Sequence, residues 1–202
     1  SIDRLRDKYS SKLNNDSVDF EKYLETINRQ IKDIESLVNE FSNFARMPRP
    51  VFKQINIMDV INRSIDFIKM SSKNTINFHT NHKRLIIKGD AEQLNRVFIN
   101  LIKNSEEAFL DLIKITTNFK GKIGIEIISN NDYIMVKLID NGTGIPDKKK
   151  VMTPYFTTKK KGTGLGLPIV NKIINEHSGN FLIKNNENNN GTTIELSFPK
   201  IN

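Results

Sequence analysis

The chain has 202 residues, 37% hydrophobic and 27% charged, which is ordinary for a globular protein and enough for one or two domains with a buried core. Cysteine is absent, which excludes disulfides and thiolate metal sites, and no run approaches the roughly 18 apolar residues that a membrane span needs. The net charge of +8 raises nucleic acid or an anionic membrane as partners. Against both, the basic residues are scattered apart from Lys148–Lys150 and Lys159–Lys161, and the joint richness in Lys, Asn and Ile is the bias of A+T-rich codons. Neither partner is expected of this chain.

Residues 2–9 read as the tail of a helix, with Ile2, Leu5 and Tyr9 on one face, followed by a polar turn over Ser10–Asn15. Residues 17–47 carry Leu24, Ile27, Ile31, Ile34, Val38, Phe41 and Ala45 at alternating spacings of three and four, which puts them on one helical seam. Asp16 or Ser17 caps its start, and Pro48 and Pro50 end it. A lone hairpin buries little, so pairing with a second chain is expected; the alternative is a helix folded back on its own domain.

After Pro50 the pattern changes to mixed α and β. Strands are predicted over 51–57, 76–79, 85–88, 122–129, 133–140, 181–185 and 193–198, and helices over 59–70, 91–112 and 165–177. The fold class is therefore α+β: a truncated helical hairpin over 1–50, then over 51–202 a sandwich with one mixed, mostly antiparallel sheet and helices on one face.

Four segments carry candidate chemistry. Asn100 and Asn104 lie one turn apart on the predicted 91–112 helix, beside its apolar stripe. Asparagine forms helices poorly, but amide oxygens are neutral hard donors that suit Mg²⁺ held against phosphates; the alternative is exposed Asn in an Asn-rich chain. Asp140 ends an apolar strand in "IDNGTGI", where a carboxylate accepts from an amine and Gly142 and Gly144 let backbone approach a ligand. An Asn-Gly hairpin is the alternative. In "PYFTTKKKGTGLGLPIV", Gly162, Gly164 and Gly166 alternate before a helix with Pro168 in its first turn. Exposed N–H groups there make a phosphate site. This run is neither the dinucleotide fingerprint nor a P-loop. Last comes "GTTIELSF", in which Thr193 is a candidate nucleotide contact.

In that order the segments resemble the ATP-binding domain of the histidine-kinase branch of the ATPase superfamily shared with DNA gyrase, Hsp90 and MutL. The stretch "IKDIESLVNEFSNFARMPRP" resembles the end of the dimerisation domain in nitrogen-regulation sensor kinases of the NtrY type. The resemblance implies ATP and Mg²⁺ as ligands, the metal on Asn104 and Asn100, and the adenine amine on Asp140. It implies nucleotide contacts at Gly142, Gly144, Ile145, Phe156, Thr157, Gly162, Thr163, Gly164, Leu165, Gly166, Leu167 and Thr193, with Lys159 in the lid serving catalysis together with the two asparagines. It implies a homodimer, a response-regulator partner of the NtrX type, and a cytoplasmic place in a membrane-anchored parent. Hydrolytic relatives carry a Glu where this chain has Asn100, and an amide takes no proton from water. Phosphoryl transfer to a histidine is therefore expected over hydrolysis. The other readings are a nucleotide-binding dimeric scaffold without kinase activity, and an ATP hydrolase or protein-serine kinase of the same superfamily, which Asn100 counts against.

No histidine of the chain has the acceptor setting of that family. His79 and His82 fall in "NFHTNH", and His177 lies at a helix C-terminus, where partial positive charge is favourable. The expectation is a fragment that starts just after the acceptor, binds nucleotide and does not autophosphorylate. Ser105 and Pro168 stand where Ala is commoner in the family, and Glu107 where Lys is.

Overall fold

The structure is a computed structural model that describes residues 2–9, 17–157, 159, 162–186 and 190–201. The chain divides into two compact units, Ser1–Met47 with Lys159–Thr163, and Pro48–Thr158 with Gly164–Asn202.

The first unit contains α1 (Ile2–Tyr9) and α2 (Ser17–Ala45), with Arg6 Nε donating to Glu21 Oε2 at 3.0 Å between them. Along α2, Leu24 is buried while Ile27, Ile31, Ile34, Val38 and Phe41 are exposed, with 47–59% of each open to solvent. These residues form one apolar stripe along the described face of α2. The predicted turn at Ser10–Asn15 and the Asp16 and Ser17 caps lie outside the described residues.

The second unit begins with β1 (Lys53–Asn56) and α3 (Ile57–Lys69), then β2 (Thr75–His79), β3 (Ile86–Gly89) and α4 (Ala91–Ile115). It continues with β4 (Lys122–Ser129), β5 (Tyr133–Asp140), a 3-10 turn at Lys150–Met152, α5 (Gly166–Glu176), β6 (Asn180–Asn185) and β7 (Thr192–Pro199). The strands divide into a five-stranded sheet, ordered β2-β4-β5-β7-β6, and a separate antiparallel ribbon of β1 and β3. Among the described residues, only β2 and β4 pair in parallel.

Alternation explains the layers. Ile123, Ile125 and Ile127 of β4, Ile134, Val136 and Leu138 of β5, and Ile194, Leu196 and Phe198 of β7 are buried. Residues between them face outward, where Glu195 takes Lys184 Nζ at 2.8 Å and Lys137 Nζ at 3.6 Å. The helices bury stripes at three- and four-residue spacing: Leu94, Val97, Phe98, Leu101, Ile102 and Phe109 of α4, and Ile169, Val170, Ile173 and Ile174 of α5. Asp90 caps α4 by accepting the N–H groups of Glu92 at 3.0 Å and Gln93 at 3.1 Å.

Candidate nucleotide site

Asp140 closes β5 and is buried, 5% exposed. Three donors converge on its carboxylate. The N–H groups of Gly142 and Thr192 reach Oδ1 at 2.8 Å and 3.1 Å, and Ser105 Oγ reaches Oδ2 at 3.1 Å. The Ser105 hydroxyl also lies 3.3 Å from the Leu101 carbonyl; it has one proton, so it donates to one of the two at a time.

The backbone around this carboxylate is pinned from neighbouring strands. Asn186 Nδ2 donates to the Asp140 carbonyl at 2.9 Å. Gly191, at φ 104°, packs on that same carbonyl so closely that a Cβ would overlap it. Asn141 is no hairpin residue: it accepts the Lys122 N–H at 2.7 Å and donates to the Lys120 carbonyl at 3.0 Å. Asn185 clamps Ile145 through both amide atoms, each bond 2.9 Å.

On α4, Asn100 and Asn104 are half-buried, and both present amide atoms to the first residue of α5. A Cβ built on Gly166 would lie 3.7 Å from Asn104 Nδ2 and 3.8 Å from Asn100 Oδ1. The residue before it, Leu165, provides no side-chain cap, and Pro168 has no N–H to offer. The N–H groups of Gly166 and Leu167 are therefore free of a side-chain cap beside two amides, in the partial positive field of a helix start. Before α5 the chain is stitched at a neck. Tyr155, itself at φ 68°, donates its N–H to the Gly164 carbonyl at 3.2 Å, and Gly164, at φ 70°, packs on Phe156.

Asn100, Asn104, Asp140, Gly142, Gly144, Ile145, Phe156, Thr157, Gly164, Leu165, Gly166 and Leu167 all belong to the second unit, where Asn100 and Asn104 lie beside Gly166, Gly142 beside Asp140, and Phe156 beside Gly164. Lys159, Gly162 and Thr163 group with the first unit, where the Gly162 N–H donates to the Lys159 carbonyl at 3.3 Å; Lys160 and Lys161 lie outside the described residues. Thr192 lies against Asp140 through its N–H, and the neighbouring Thr193, the candidate nucleotide contact, donates its hydroxyl to Asn186 Oδ1 at 2.5 Å. The sequence did not single out Ser105 as a partner of Asp140, nor Asn185 and Asn186, of which the first closes the predicted 181–185 strand and the second follows it.

A second polar centre lies at the other end of these helices. His177 is buried, its Nε2 accepting the Asp90 N–H at 2.9 Å and its Nδ1 lying 2.8 Å from the Ile173 carbonyl. Those partners require the neutral ring with the proton on Nδ1. The ring is neutral although a helix C-terminus favours positive charge: burial pulls the pKa below the usual histidine value, against the Ile173 carbonyl, Asp90 and Glu176, which favour the cation. The unfolded chain takes a proton at this residue below about pH 6.5 while the folded one resists it. Stability is therefore fully present above that pH and declines as pH falls below it. In urea titrations the midpoint should hold steady above neutrality and drop on mild acidification, and His177→Gln should flatten that drop. An unchanged slope in the variant would contradict the assignment.

Comparison with known proteins agrees with the geometry. The family described as histidine kinase-, DNA gyrase B-, and HSP90-like ATPases matches residues 89–202. An NtrY-like sensor histidine kinase of Rickettsia prowazekii is 36% identical over 199 residues, covering 97% of this chain and 32% of that protein. The chain spans about a third of the length of such curated relatives. Among solved structures, the catalytic domain of histidine kinase ThkA is 31% identical with a TM-score of 0.62, covering 74% of this chain and 96% of that one. ThkA crystallised in complex with the response regulator protein TrrA is alike in fold, with a TM-score of 0.69 at 24% identity, covering 90% of this chain and 52% of that one. With a buried strand-end carboxylate, paired asparagines at an uncapped helix start and a family match over more than half its length, the chain belongs to the histidine kinase-, DNA gyrase B- and HSP90-like ATPases.

Proposed function

We propose that this chain binds Mg-ATP as the catalytic region of a sensor histidine kinase, with residues 1–50 a partial dimerisation hairpin and 51–202 the nucleotide-binding domain. The observation that carries this reading is the meeting of the Asn100 and Asn104 amides with the uncapped start of α5 at Gly166. Phosphates seated there receive N–H groups from Gly166 and Leu167 and the field of the helix. The adenine amine donates to Asp140, in a wall built by Gly142, Gly144 and Ile145. Phe156, Thr157, Lys159, Gly162 and Thr163 act as the lid.

The donor set suits Mg²⁺. Its ligands here are neutral amide oxygens, and among the described residues no three His, Asp or Glu cluster into an all-protein metal cage; Mg²⁺ characteristically completes its shell with waters and phosphates. When bound, the ion neutralises phosphate charge. The protein's own part is to hold and orient the triphosphate, since Asn100 offers no base for hydrolysis. The γ-phosphoryl group passes to a neutral imidazole of a histidine outside this chain, and from there to an aspartate of a response regulator, of the NtrX type. Two copies of the chain pair through the Ile27–Phe41 seam of α2. The region lies in the cytoplasm beneath a membrane-anchored parent; no described helix is itself long and apolar enough to cross a membrane.

Calorimetric titration with a non-hydrolysable ATP analogue tests the reading. Binding is expected with Mg²⁺ and should weaken on chelation. Asn104→Ala should make affinity indifferent to Mg²⁺. No heat at millimolar nucleotide would overturn it.

A further inference from the structure

Helices α4 and α5 run antiparallel and come close at two places along their length. At one, the α4 asparagine amides lie beside Gly166; at the other, the Asp90 N–H at the start of α4 donates to His177 just past the end of α5. Asn100 lies ten positions after Asp90, about 15 Å of helical rise, and His177 eleven positions after Gly166, about 16.5 Å, so the two spans are close. Helices are stiff along their axes, so a displacement at the His177 end arrives almost whole at the asparagine end.

We propose that His177 is a positioning residue for the nucleotide site: by holding the Asp90 N–H and the Ile173 carbonyl together, it sets the axial register of α5 against α4 and hence the gap between the Asn100 and Asn104 amides and the phosphate-binding N–H groups of α5. The proposal rests on the nucleotide reading above. Histidine is suited to the task because one neutral ring supplies an acceptor for the first helix and a donor to the second. Its seat is built for a ring, with the Phe52 edge at 5.1 Å and an interplanar angle of 72°, and with Gly89 leaving the space beside Cδ2 open. Asp90 also receives the Val51 N–H at 2.8 Å, so the chain entering from Pro50 joins the same node. The charged groups around the ring are Asp90, Glu176, Lys88 and Lys200.

The role predicts a split between ligand halves. Asp140 is held by Gly142, Thr192 and Ser105, none of them in α5, so the adenine end is spared when the register slips. Calorimetry should compare a Mg-bound non-hydrolysable ATP analogue with adenosine, on the wild type, His177→Ala and His177→Gln. His177→Ala should lose about tenfold or more in affinity for the triphosphate, as a misplaced cradle does, with adenosine unchanged. His177→Gln, which keeps an acceptor for the Asp90 N–H, should restore most of the loss. Equal losses for both ligands, no loss at all, or no rescue by Gln would each overturn the role. If His177→Ala fails to fold, the wild type carries the test. As pH falls below the ordinary histidine range its triphosphate affinity, taken relative to adenosine, should fall more steeply than that of His177→Gln; parallel pH curves would overturn the role. A wild type that binds neither ligand removes the nucleotide reading and this role with it. A wild type that binds both, with His177→Ala its equal, removes only the role.

Discussion

Asp140→Asn should fold normally and bind ATP far more weakly. The bonds around the carboxylate explain both halves. Its Oδ1 already accepts two backbone N–H groups, which an asparagine oxygen accepts equally well. Its Oδ2 faces the Ser105 hydroxyl, which has the Leu101 carbonyl 3.3 Å away as a second place for its proton. With the proton turned to Leu101, Ser105 accepts from the new amide, and no buried donor or acceptor is stranded. Stability should therefore change by less than about 1 kcal/mol. The face offered to an incoming exocyclic amine changes from acceptor to donor, however. Losing a hydrogen bond to a charged acceptor, and placing two donors against each other, should cost about 10- to 100-fold in nucleotide affinity. Thermal melts and calorimetry on the same samples check the pair of outcomes. Wild-type affinity in the variant would remove Asp140 from the adenine site.

Gly191→Ala should do the reverse and damage the fold through the same carbonyl. Gly191 sits at φ 104°, which side chains avoid, and its missing Cβ is the space occupied by the Asp140 carbonyl. Strain at such a position and overpacking against backbone each cost up to about 3 kcal/mol. The chain relieves the clash by pushing β5 and β7 apart where Asp140 and Thr192 meet, so the melting temperature and the nucleotide affinity should fall together. Gly124→Ala is the control: its added Cβ would find nothing nearer than the Ile139 carbonyl at 4.0 Å. A Gly191→Ala protein as stable as the Gly124→Ala protein would show that the close packing is not required.

Periodicity in the sequence carries most of the second unit. The strands over 122–129 and 133–140 are read to the residue because strict alternation and a short polar connection leave one register that buries Ile123, Ile125 and Ile127 together. The α4 helix runs to Ile115 rather than 112 because Leu110 and Ile113, although exposed, continue a good helical pattern. The division of the strands into a five-stranded sheet and a β1–β3 ribbon was not legible. Which strands pair across 30 residues depends on packing against α3 and α4, not on the strands' own composition.

By itself, the sequence determined the α+β class, the element order and the ordered run of Asn, Asp and Gly segments that marks the ATPase family. These are local matters of spacing and residue chemistry. Tertiary structure decided what each site residue touches. It brought the Thr192 N–H onto Asp140 across the sheet, recruited Ser105 to Asp140 by helix face, and made His177 a neutral tie between two helices although its helix-end position favours a cation. Those outcomes hang on which atoms meet from elements 35 to 87 residues apart. A hydrogen bond is made or lost within a few tenths of an ångström, which no periodicity encodes.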